Sequence, residues 1–530
     1  MQVYPGLCKT GVNGCPGGTN LCIAKPADTM DQLQTNWTKD AARTGAVNPI
    51  VNATGRDPTT AWQVEATGEW RLSTFDTTIY GSMDFNSWYT IGPQPGFPHG
   101  ECPSFFEMPR DTPGAGPAPV GTPAYTHVHK ASHGGDWMQV GIYQPNGVRQ
   151  NGDWLNATTE VKIDMGQFYA SKDFYDPVGK RRINWGWAQV PPSSTQTLPR
   201  EVTWHPELQQ LVYAPLAEQD ALRGTALADV SRTALAPSQV LALGPFPGAA
   251  SAGNQSEVEV VFERPAAAAR LGVVVMGGAD PAGSGTLFYI DYVPPAATAA
   301  AADDVDAAAP DAMATWSTVT VGATPMVAPT PAPAPTPPSP APVTPYKRLM
   351  PNTDLTGGDF SVGCANDSCK QAAGATPYAA CQKACDDNDK CASWTLVVNV
   401  KCCLKSGYPK IRSDTGMFSG VKDPSKAPVG PPTPPAPAGG KTDTLKLSPS
   451  DKTLTLRVYV DNTFSEAFWM GGRVAMTVST AGTPEASMAV TASAAATLVS
   501  AKAFAVKPIW ITEAEVRAAP RTDGKPIRGW

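Results

Sequence analysis

Alternation of apolar and polar side chains is the clearest pattern along this chain, and it has the period of a β-strand. Within residues 137–143 the apolar side chains of Met138, Val140 and Ile142 fall on one face. Residues 454–460 alternate in the same way. Because successive side chains of a strand point to opposite faces, both stretches are predicted to be strands with one buried face.

Many short segments of this kind follow one another at intervals of roughly ten residues. Residues 1–200 contain short apolar runs interrupted by turn clusters, and further strand candidates lie at 258–262 and 271–276. The composition agrees, because 54 prolines and 48 glycines among 530 residues indicate many turns and few long helices. The pattern predicts an all-β protein built as a barrel, a sandwich or a propeller.

Two proline-rich stretches divide the chain into domains. Residues 296–345 are rich in Ala, Asp and Pro, and residues 424–440 are rich in Pro, so both are predicted to be linkers. Between them, residues 346–423 form a small cysteine-rich module. We expect residues 201–295 and 441–530 to make one β-sandwich with the module inserted between its strands, because a long insertion adds little closure entropy.

Cysteine usage indicates an oxidising compartment. Seven of the 11 cysteines lie between Cys364 and Cys403, a density typical of disulfide-bonded modules. Five Asn-x-Ser/Thr triplets add a weaker signal for a secreted glycoprotein; they begin at Asn36, Asn52, Asn156, Asn254 and Asn366. The first residues have neither a basic nor an apolar signal region, so we expect the signal peptide of an extracellular or vacuolar protein to be missing from this sequence.

Charge and motif content exclude several classes of partner and chemistry. The formal net charge is −6 without a basic stripe, which argues against nucleic-acid binding, and no apolar run approaches the ~18 residues of a membrane span. No Gly-rich phosphate loop, HExxH, GxSxG or zinc-type CxxC pair occurs, so no cofactor and no metal site is predicted. His127 and His129 share one face of a strand, which is only a weak metal-binding pattern. Chemistry by carboxylates is the remaining prediction.

Two carboxylates stand out by their surroundings. Asp57 lies in the triplet Arg-Asp-Pro, and Glu101 begins the triplet Glu-Cys-Pro. Either triplet alone is explained by an ordinary turn or strand end. They occur about forty residues apart in an aromatic-rich β segment, and this combination is what makes them specific.

In this order and spacing, the two motifs resemble those of glycoside hydrolase family 32, which comprises the invertases, inulinases, levanases and fructan exohydrolases. Further segments similar to that family follow in family order, at residues 68–72, 168–172, 182–187, 198–201, 460–466 and 471–473. The resemblance covers residues 1–295 and 441–530.

The resemblance implies a fold and a reaction. The fold is a five-bladed β-propeller followed by a β-sandwich, with the active site in the central funnel of the propeller. The family cleaves terminal β-fructofuranosyl bonds of sucrose or fructans with retention, which requires two carboxyl groups about 5–5.5 Å apart. Hydrolysis and fructosyl transfer both stay open, as do sucrose, inulin and levan as substrates.

The same resemblance implies roles for individual residues. Glu101 is the general acid/base, and we expect partial burial to raise its pKa. Asp57 stabilises the transition state through the fructose hydroxyls, and Arg56 holds both carboxylates by a forked bond. Asp164 falls where the family has an acidic residue near the sugar-binding rim. Four tryptophans either stack on sugars or pack in the core: Trp62, Trp70, Trp185 and Trp187.

The chain departs from its family at the nucleophile, which the family carries in an Asn-Asp-Pro-like motif near the N-terminus. No Asn-Asp-Pro triplet occurs in this sequence. Five blades need on the order of 200 residues at the leanest and usually nearer 300, and stretches such as residues 111–124 are loop, so residues 1–200 are expected to form an incomplete propeller. A truncated, inactive hydrolase is therefore expected, and the alternative is an extracellular protein that binds carbohydrate without cleaving it.

The cysteine spacing of the module resembles that of PAN/apple domains, which bind proteins or carbohydrates. The cysteines that carry this resemblance are Cys381, Cys385, Cys391, Cys402 and Cys403. The resemblance implies a protein or glycan partner for residues 346–423. A passive, disulfide-stapled spacer is the alternative interpretation.

Overall fold

A computed structural model of the chain describes most of its residues. The described residues are 2–8, 18–31, 34–45, 48–52, 55–93, 99–147, 154–190, 194–244, 252–278, 283–294, 316–326, 349–355, 359–362, 377–397, 401–406, 411–421, 440–480, 486–508, 512 and 514–515. They separate into two compact units, one comprising residues 1–329 with 437–530 and the other residues 330–436.

The first unit begins with two antiparallel sheets. The first sheet contains β1 (Gln2–Cys8), β2 (Gly18–Pro26) and β3 (Trp37–Thr38), and a short helix α1 (Ala41–Thr44) follows it. The second sheet runs in chain order through β4 (Trp62–Val64), β5 (Glu69–Ser73), β6 (Thr78–Ser82) and β7 (Tyr89–Pro93). Leu21 of the first sheet packs with Leu72 and Tyr80 of the second, so the two sheets share a core.

Two larger sheets come next in the chain. The third sheet contains β8 (Glu101–Glu107), β9 (His127–Ser132), β10 (Asp136–Gln144), β11 (Trp154–Ala157) and β12 (Val161–Lys162). The fourth contains β13 (Phe168–Asp176), β14 (Arg181–Ala188), β15 (Thr195–Gln196), β16 (Arg200–His205) and β17 (Gln210–Pro215). The predicted strand at residues 137–143 is thus confirmed as part of β10.

Each of these four sheets packs on the next one along the chain, as successive blades of a propeller do. Trp62 of the second sheet packs with Phe105 and Tyr143 of the third. The third and fourth sheets share a larger core, whose members include Phe106, Val128, Met138, Val140, Phe168, Val202 and Trp204. Both faces of β10 are covered over most of its length, which is why its burial does not follow the predicted one-sided alternation. The five-blade count stays a prediction.

The next seven strands follow without a long helix. They are β18 (Arg223–Val230), β19 (Thr233–Leu235), β20 (Gln239–Ala242), β21 (Gln255–Glu263), β22 (Ala269–Gly277), β23 (Thr286–Tyr292) and β24 (Ser317–Pro325). A 3₁₀ turn at Ala217–Leu222 precedes β18, and another at Ala252–Asn254 precedes β21.

The second compact unit has its own sheet and one helix. The strands are β25 (Leu349–Leu355), β26 (Asp359–Val362), β27 (Ser393–Val397), β28 (Lys401–Lys405) and β29 (Ile411–Val421), in the order β25-β29-β27-β28-β26. The helix α2 (Pro377–Asp386) places Cys381 and Cys385 one turn apart, so both fall on one buried side. Cys385 is bonded to Cys391, and the buried indole of Trp394 donates a hydrogen bond to Gln382 at 2.9 Å. The side chains of Cys402 and Cys403 lie outside the described residues.

The last six strands return to the first unit. They are β30 (Lys441–Leu447), β31 (Thr453–Asp461), β32 (Phe464–Trp469), β33 (Val474–Ser479), β34 (Ser487–Ala492) and β35 (Ala496–Val506). One sheet has the order β18-β35-β21-β31-β32-β33, with β19 on β35, and the other has the order β20-β34-β22-β23-β24-β30. Their facing sides bury one apolar core, which includes Val258, Phe262, Leu271, Phe288, Leu456 and Trp469.

Segments before and after the cysteine module pair with one another in these two sheets, but the pairing departs from two predicted boundaries. Residues 201–215 belong to the fourth sheet, because β16 pairs with β14 and β17 pairs with β16. Within the predicted linker, β24 is a sandwich strand that pairs with β23 and β30. Its residues Val319, Val321 and Ala323 pack in the sandwich core. The Ala- and Thr-rich composition around them made this strand pattern hard to recognise from the sequence. No helix among the described residues is long and apolar enough to cross a membrane.

A buried ionic cluster joins the fourth sheet to the sandwich. Arg200 of β16 donates to Asp164 at 3.0 Å and to Glu466 of β32 at 2.9 Å, and all three side chains are almost completely buried. Thr477 of β33 donates its hydroxyl to Asp164 at 2.9 Å and accepts a bond from Arg200. One guanidinium therefore compensates two carboxylates that burial would otherwise penalise heavily.

Replacing the shared cation should destabilise this junction. We expect Arg200→Met to lower the free energy of unfolding by about 3–5 kcal/mol, because two buried carboxylates lose their partner. Burial already raises the pKa of Glu466 against the opposing effect of Arg200, so removing Arg200 raises it further. A carboxyl with a raised folded-state pKa costs stability as pH rises through that pKa, so the deficit should be smaller at pH 5 than at pH 8.

Chemical denaturation at the two pH values measures this difference. Arg264→Met is a control with a pH-independent loss, because Arg264 bonds Tyr292, Ser317 and backbone carbonyls without a buried carboxylate partner. An Arg200→Met deficit that is equal at both pH values would contradict the assignment.

The cysteine-rich module should depend on its disulfides. Residues 346–423 are expected to fold alone under oxidising conditions and to lose structure on reduction, because so small a domain buries little apolar surface and each bridge contributes about 2–5 kcal/mol. Circular dichroism during titration with reductant measures the loss. The chain without residues 346–423 is the control and should keep its spectrum. A module that stays folded when fully reduced would refute the prediction.

Candidate active site

The Arg-Asp-Pro motif lies in a loop before β4 that is tied to the β5–β6 hairpin. The amide of Phe75 donates to the Arg56 carbonyl at 3.1 Å, and the amide of Thr59 donates to the Ser73 carbonyl at 2.7 Å. Asp57 has a positive φ of 57°, a strained conformation for a residue with a side chain. The loop thus holds two neighbouring charged side chains in a conformation that its own sequence does not favour.

Glu101 begins β8, and an irregularity follows it. The register with β9 shifts between Glu101 and Ser104, and Cys102 has a positive φ of 48°. Such a bulge redirects the side chains around it. Phe105 and Phe106 farther along the strand are buried, whereas the Glu101 side chain keeps 40% of its surface exposed.

Three neighbouring sheets meet at the Glu101 carboxylate. Arg56 forms an ion pair with one of its oxygens, and the Tyr169 hydroxyl donates to the other at 3.0 Å. Arg56 Nε also lies 3.7 Å from the Asp57 carboxylate, and the Cys102 amide donates to Asp57 at 3.2 Å. The structure therefore brings Arg56, Asp57 and Glu101 together, although they are separated by up to 45 positions along the chain.

The electrostatic environment of Glu101 differs from the sequence expectation. Hydrogen bonds from Arg56 and then from Tyr169 lower the pKa of Glu101, and these effects exceed the opposing effect of burial. The expected rise was wrong, because the nearby phenylalanines pack into the core and leave the carboxylate at the surface beside a cation. Conversely, burial and the bond to Glu101 raise the pKa of Tyr169. In this arrangement Glu101 is a carboxylate at neutral pH.

Two lysines, Lys130 and Lys172, contact the backbone of the site, and no sequence motif indicated them. Lys172 donates to the Pro58 carbonyl at 3.0 Å and to the Pro103 carbonyl at 2.7 Å, so it connects the two motifs directly. Desolvation lowers the pKa of the Lys172 ammonium to about 8. Lys130 of β9 is 2% exposed and donates to the Cys102 carbonyl of β8 at 3.0 Å. Lysine is rarely buried without partners, but this signal is invisible until the fold is known.

The predicted tryptophans have different surroundings. Trp62 packs edge-on against Phe105 and donates its indole hydrogen to the Tyr143 hydroxyl at 3.2 Å, so it helps to join the second and third sheets. Trp70 packs edge-on against Phe85 in the second sheet. Both are partly exposed, and these contacts are those of packed side chains.

Trp185 and Trp187 border an open groove of 530 Å³ along β13, β14 and β15, which Lys172, Asp173, Phe174, Thr195 and Gln196 also line. The ring of Trp185 stacks on Phe174 with 5.4 Å between centroids, and 45% of Trp187 is exposed. Trp187 also contacts Tyr169 edge-on at 6.5 Å, so the groove begins beside the Glu101 cluster. Flat, exposed rings next to polar groups suit a sugar surface.

Asp164 does not lie with the other candidate residues, and its prediction as a substrate-binding residue is wrong. It is 2% exposed, and both of its oxygens are used by Arg200, Thr477 and the Gly166 amide. A carboxylate enclosed in this way stabilises the junction between the fourth sheet and the sandwich. The sequence could not reveal this role, because Thr477 lies more than 300 positions away.

The two histidines of β9 are held neutral by their surroundings. Burial lowers the pKa of His127 to about 4, and burial with nearby Lys130 lowers that of His129 to about 3. His127 stacks on Phe105 at 4.8 Å. Among the described residues, no three His, Cys, Asp or Glu side chains are grouped as metal ligands would be.

Comparison with known proteins supports the family resemblance. The family model described as "Glycosyl hydrolases family 32 N-terminal domain" matches residues 15–215. "Beta-fructofuranosidase, insoluble isoenzyme 2" of Oryza sativa subsp. indica is 33% identical over 242 residues, which cover 38% of this chain and 39% of that protein. "Beta-fructofuranosidase, cell wall isozyme" of Zea mays is 30% identical over 294 residues, covering 49% and 48%. The chain thus spans less than half of the length of these relatives.

Solved structures agree on the fold. Fructan 1-exohydrolase IIa from Cichorium intybus superposes with a TM-score of 0.57 at 17% identity, covering 95% of this chain and 81% of that one. Exo-inulinase from Aspergillus awamori superposes with a TM-score of 0.51 at 14% identity, covering 96% and 79%.

The Arg56–Glu101 contact predicts the effect of removing Arg56. In Arg56→Leu we expect the pKa of Glu101 to rise, because the strongest interaction that favours its charged form is lost. Carboxyl ¹³C NMR titration measures the change, with the Glu101 signal assigned by its absence in Glu101→Gln. The control is Arg110→Leu, which removes a similarly exposed arginine from its pair with Glu201. A Glu101 pKa that is unchanged in Arg56→Leu would show that the contact does not form in solution.

Proposed function

Since this chain belongs to glycoside hydrolase family 32, we propose that it derives from a hydrolase of terminal β-fructofuranosyl bonds in sucrose or fructans. The observation that carries this proposal is the convergence of Arg56, Asp57 and Glu101, from two separate motifs, on one exposed carboxylate cluster. Two carboxylates beside a cation and a phenol suit acid/base cleavage of a glycosidic bond.

In the proposed reaction, Glu101 donates a proton to the leaving oxygen and later accepts one from water. Arg56 and Tyr169 keep it charged in the free protein, so a substrate that displaces the Arg56 guanidinium would raise its pKa and allow protonation. Asp57 binds fructose hydroxyls, and the Cys102 amide orients its carboxylate. Removing water from the site strengthens both effects.

Retention requires a nucleophilic carboxylate about 5–5.5 Å from the acid/base. The 530 residues contain no Asn-Asp-Pro triplet, and among the described residues only Asp57 accompanies Glu101 in the contacts of the cluster. Asp57 follows the Arg-Asp-Pro pattern that the resemblance assigns to transition-state stabilisation. We therefore expect this polypeptide alone to bind fructosides without turnover.

Carbohydrate binding without hydrolysis is the second candidate function, and the aromatic groove favours it. Phe174, Trp185 and Trp187 line the groove together with Thr195 and Gln196, a combination that matches the apolar faces and hydroxyls of a sugar chain. The two candidates differ in what they require: hydrolysis depends on Glu101, whereas polymer binding depends on the tryptophans.

An extracellular location fits either function. The relatives from rice and maize are named as insoluble and cell-wall enzymes, and the cysteine-rich unit contains at least one disulfide among its described residues. Disulfides of this kind persist in oxidising compartments. A vacuolar location is the alternative.

The test measures fructose release and binding with the 530-residue chain. We expect no release from sucrose or inulin, and we expect 1-kestose binding that Asp57→Ala weakens roughly tenfold, because a hydrogen-bonding carboxylate is lost. Asp28→Ala, at an exposed aspartate between β2 and β3, is the control and should bind normally. Trp185→Ala and Trp187→Ala should weaken inulin binding if the groove holds a polymer.

Two outcomes would change the proposal. If the chain does release fructose, Glu101→Gln should lower turnover by several orders of magnitude, and the expectation of an inactive polypeptide would be wrong. Turnover that survives Glu101→Gln would refute the assignment of Glu101 as acid/base. Absence of binding to any fructoside would refute the proposed function itself.

A further inference from the structure

Two irregular strands, one on each side, create the contact between Glu101 and Tyr169. The register of β8 shifts just after Glu101, and that of β13 shifts just after Tyr169. Cys102 and Ala170, the residues that follow, have positive φ angles of 48° and 50°. At such a bulge some backbone groups leave their ladder partners and need others.

A buried ion pair from the third sheet supplies those partners. Lys130 donates to the Cys102 carbonyl at 3.0 Å and to the Ser171 carbonyl at 2.6 Å. Asp136 accepts from the Ser171 amide at 2.7 Å and lies 3.2 Å from the Lys130 ammonium. The same pair therefore holds the backbone beside Glu101 and the backbone beside Tyr169.

The β9–β10 hairpin explains why these side chains meet. Lys130 and Ser132 are two positions apart on β9 and share a face, and Asp136 begins β10 directly opposite Ser132. Ser132 donates to Asp136 at 2.6 Å and accepts from Lys130 at 3.0 Å. Lys130, Ser132 and Asp136 are each at most 2% exposed, so none of them can touch a substrate.

We propose that Lys130 and Asp136 are positioning residues that hold Glu101 against Tyr169. This inference rests on the proposed function, in which Glu101 is the acid/base. Tyr169 donates one of the two hydrogen bonds that stabilise the charged form of Glu101. If the two bulges separate, that bond lengthens and Glu101 binds its proton more tightly. The titratable groups around the contact are Arg56, Asp57, Cys102, Tyr169, Lys130, Asp136 and Lys172.

The test separates positioning from direct charge effects by using Asp136→Asn. Removal of a negative charge should by itself lower the pKa of Glu101. Loss of positioning should instead raise it, because the Tyr169 hydrogen bond is weakened. We expect an increase of at least half of that produced by Tyr169→Phe, measured by the carboxyl NMR titration and without any substrate. A decrease, or no change, would overturn the proposal.

Ser132→Ala is a milder variant that keeps the test valid if Asp136→Asn does not fold. It changes no charge and removes the hydroxyl that hydrogen-bonds both Lys130 and Asp136. It should therefore raise the pKa of Glu101 by a smaller amount. The matched control is Arg71→Met, which removes the cation of a fully buried pair with Glu69 in the second sheet. It should lower stability but leave the Glu101 titration unchanged; an equal shift in this control would show a general loss of packing.

Failure of this inference and failure of the proposed function are distinguishable. The titration reports the contacts and charges around the Glu101 carboxylate, whereas fructoside binding and fructose release report the function. Expected pKa shifts in a chain that binds no fructoside would support positioning and refute the proposed function. Normal fructoside binding with an unchanged Glu101 pKa in Asp136→Asn and Ser132→Ala would refute positioning and support the proposed function.

Discussion

The candidate site depends on interruptions of the β-ladder. In a regular strand every backbone group bonds a neighbour and side chains alternate strictly, which would leave Glu101 and Tyr169 in separate sheets without a fixed relation. Positive φ at Cys102 and Ala170 breaks that regularity in β8 and β13, on both sides of the site. Asp57, in the loop before β4, also has a positive φ. Such conformations are costly and persist only when surrounding contacts compensate them.

Cations that bond several acceptors provide much of this compensation. Lys130 bonds two carbonyls and Asp136 behind the site, and Lys172 bonds the carbonyls of Pro58 and Pro103. Arg200 has the same role at the junction with the sandwich, where it holds Asp164 and Glu466. In each case one charged side chain satisfies several acceptors at once, which offsets the cost of desolvating its charge. The charged groups therefore link elements that apolar packing alone would leave free to shift.

The protonation state of Glu101 also follows from its contacts. Its carboxylate is exposed and bonded by Arg56 and Tyr169, so the free protein favours the charged form. A general acid needs the proton that these partners disfavour, so binding of a substrate must alter the contacts before the proposed chemistry begins. The aromatic groove beside Tyr169 offers a surface where a longer sugar chain could add binding energy.

Local pattern determined a large part of this protein. Alternation identified β10 and β31, linker composition separated the cysteine-rich unit, and the triplets at Asp57 and Glu101 located two side chains that the fold brings together. These features are encoded by neighbouring residues, because strand period and turn chemistry act over a few positions. Only the tertiary structure decided which strands pair, so it moved residues 201–215 into the fourth sheet and made β24 a sandwich strand. It also placed Asp164 beside Glu466 and Thr477, reversed the expected pKa shift of Glu101 through Arg56, and revealed Lys130 with Asp136. Each of these results depends on burial and on partners distant in sequence, and neither quantity is present in a local pattern.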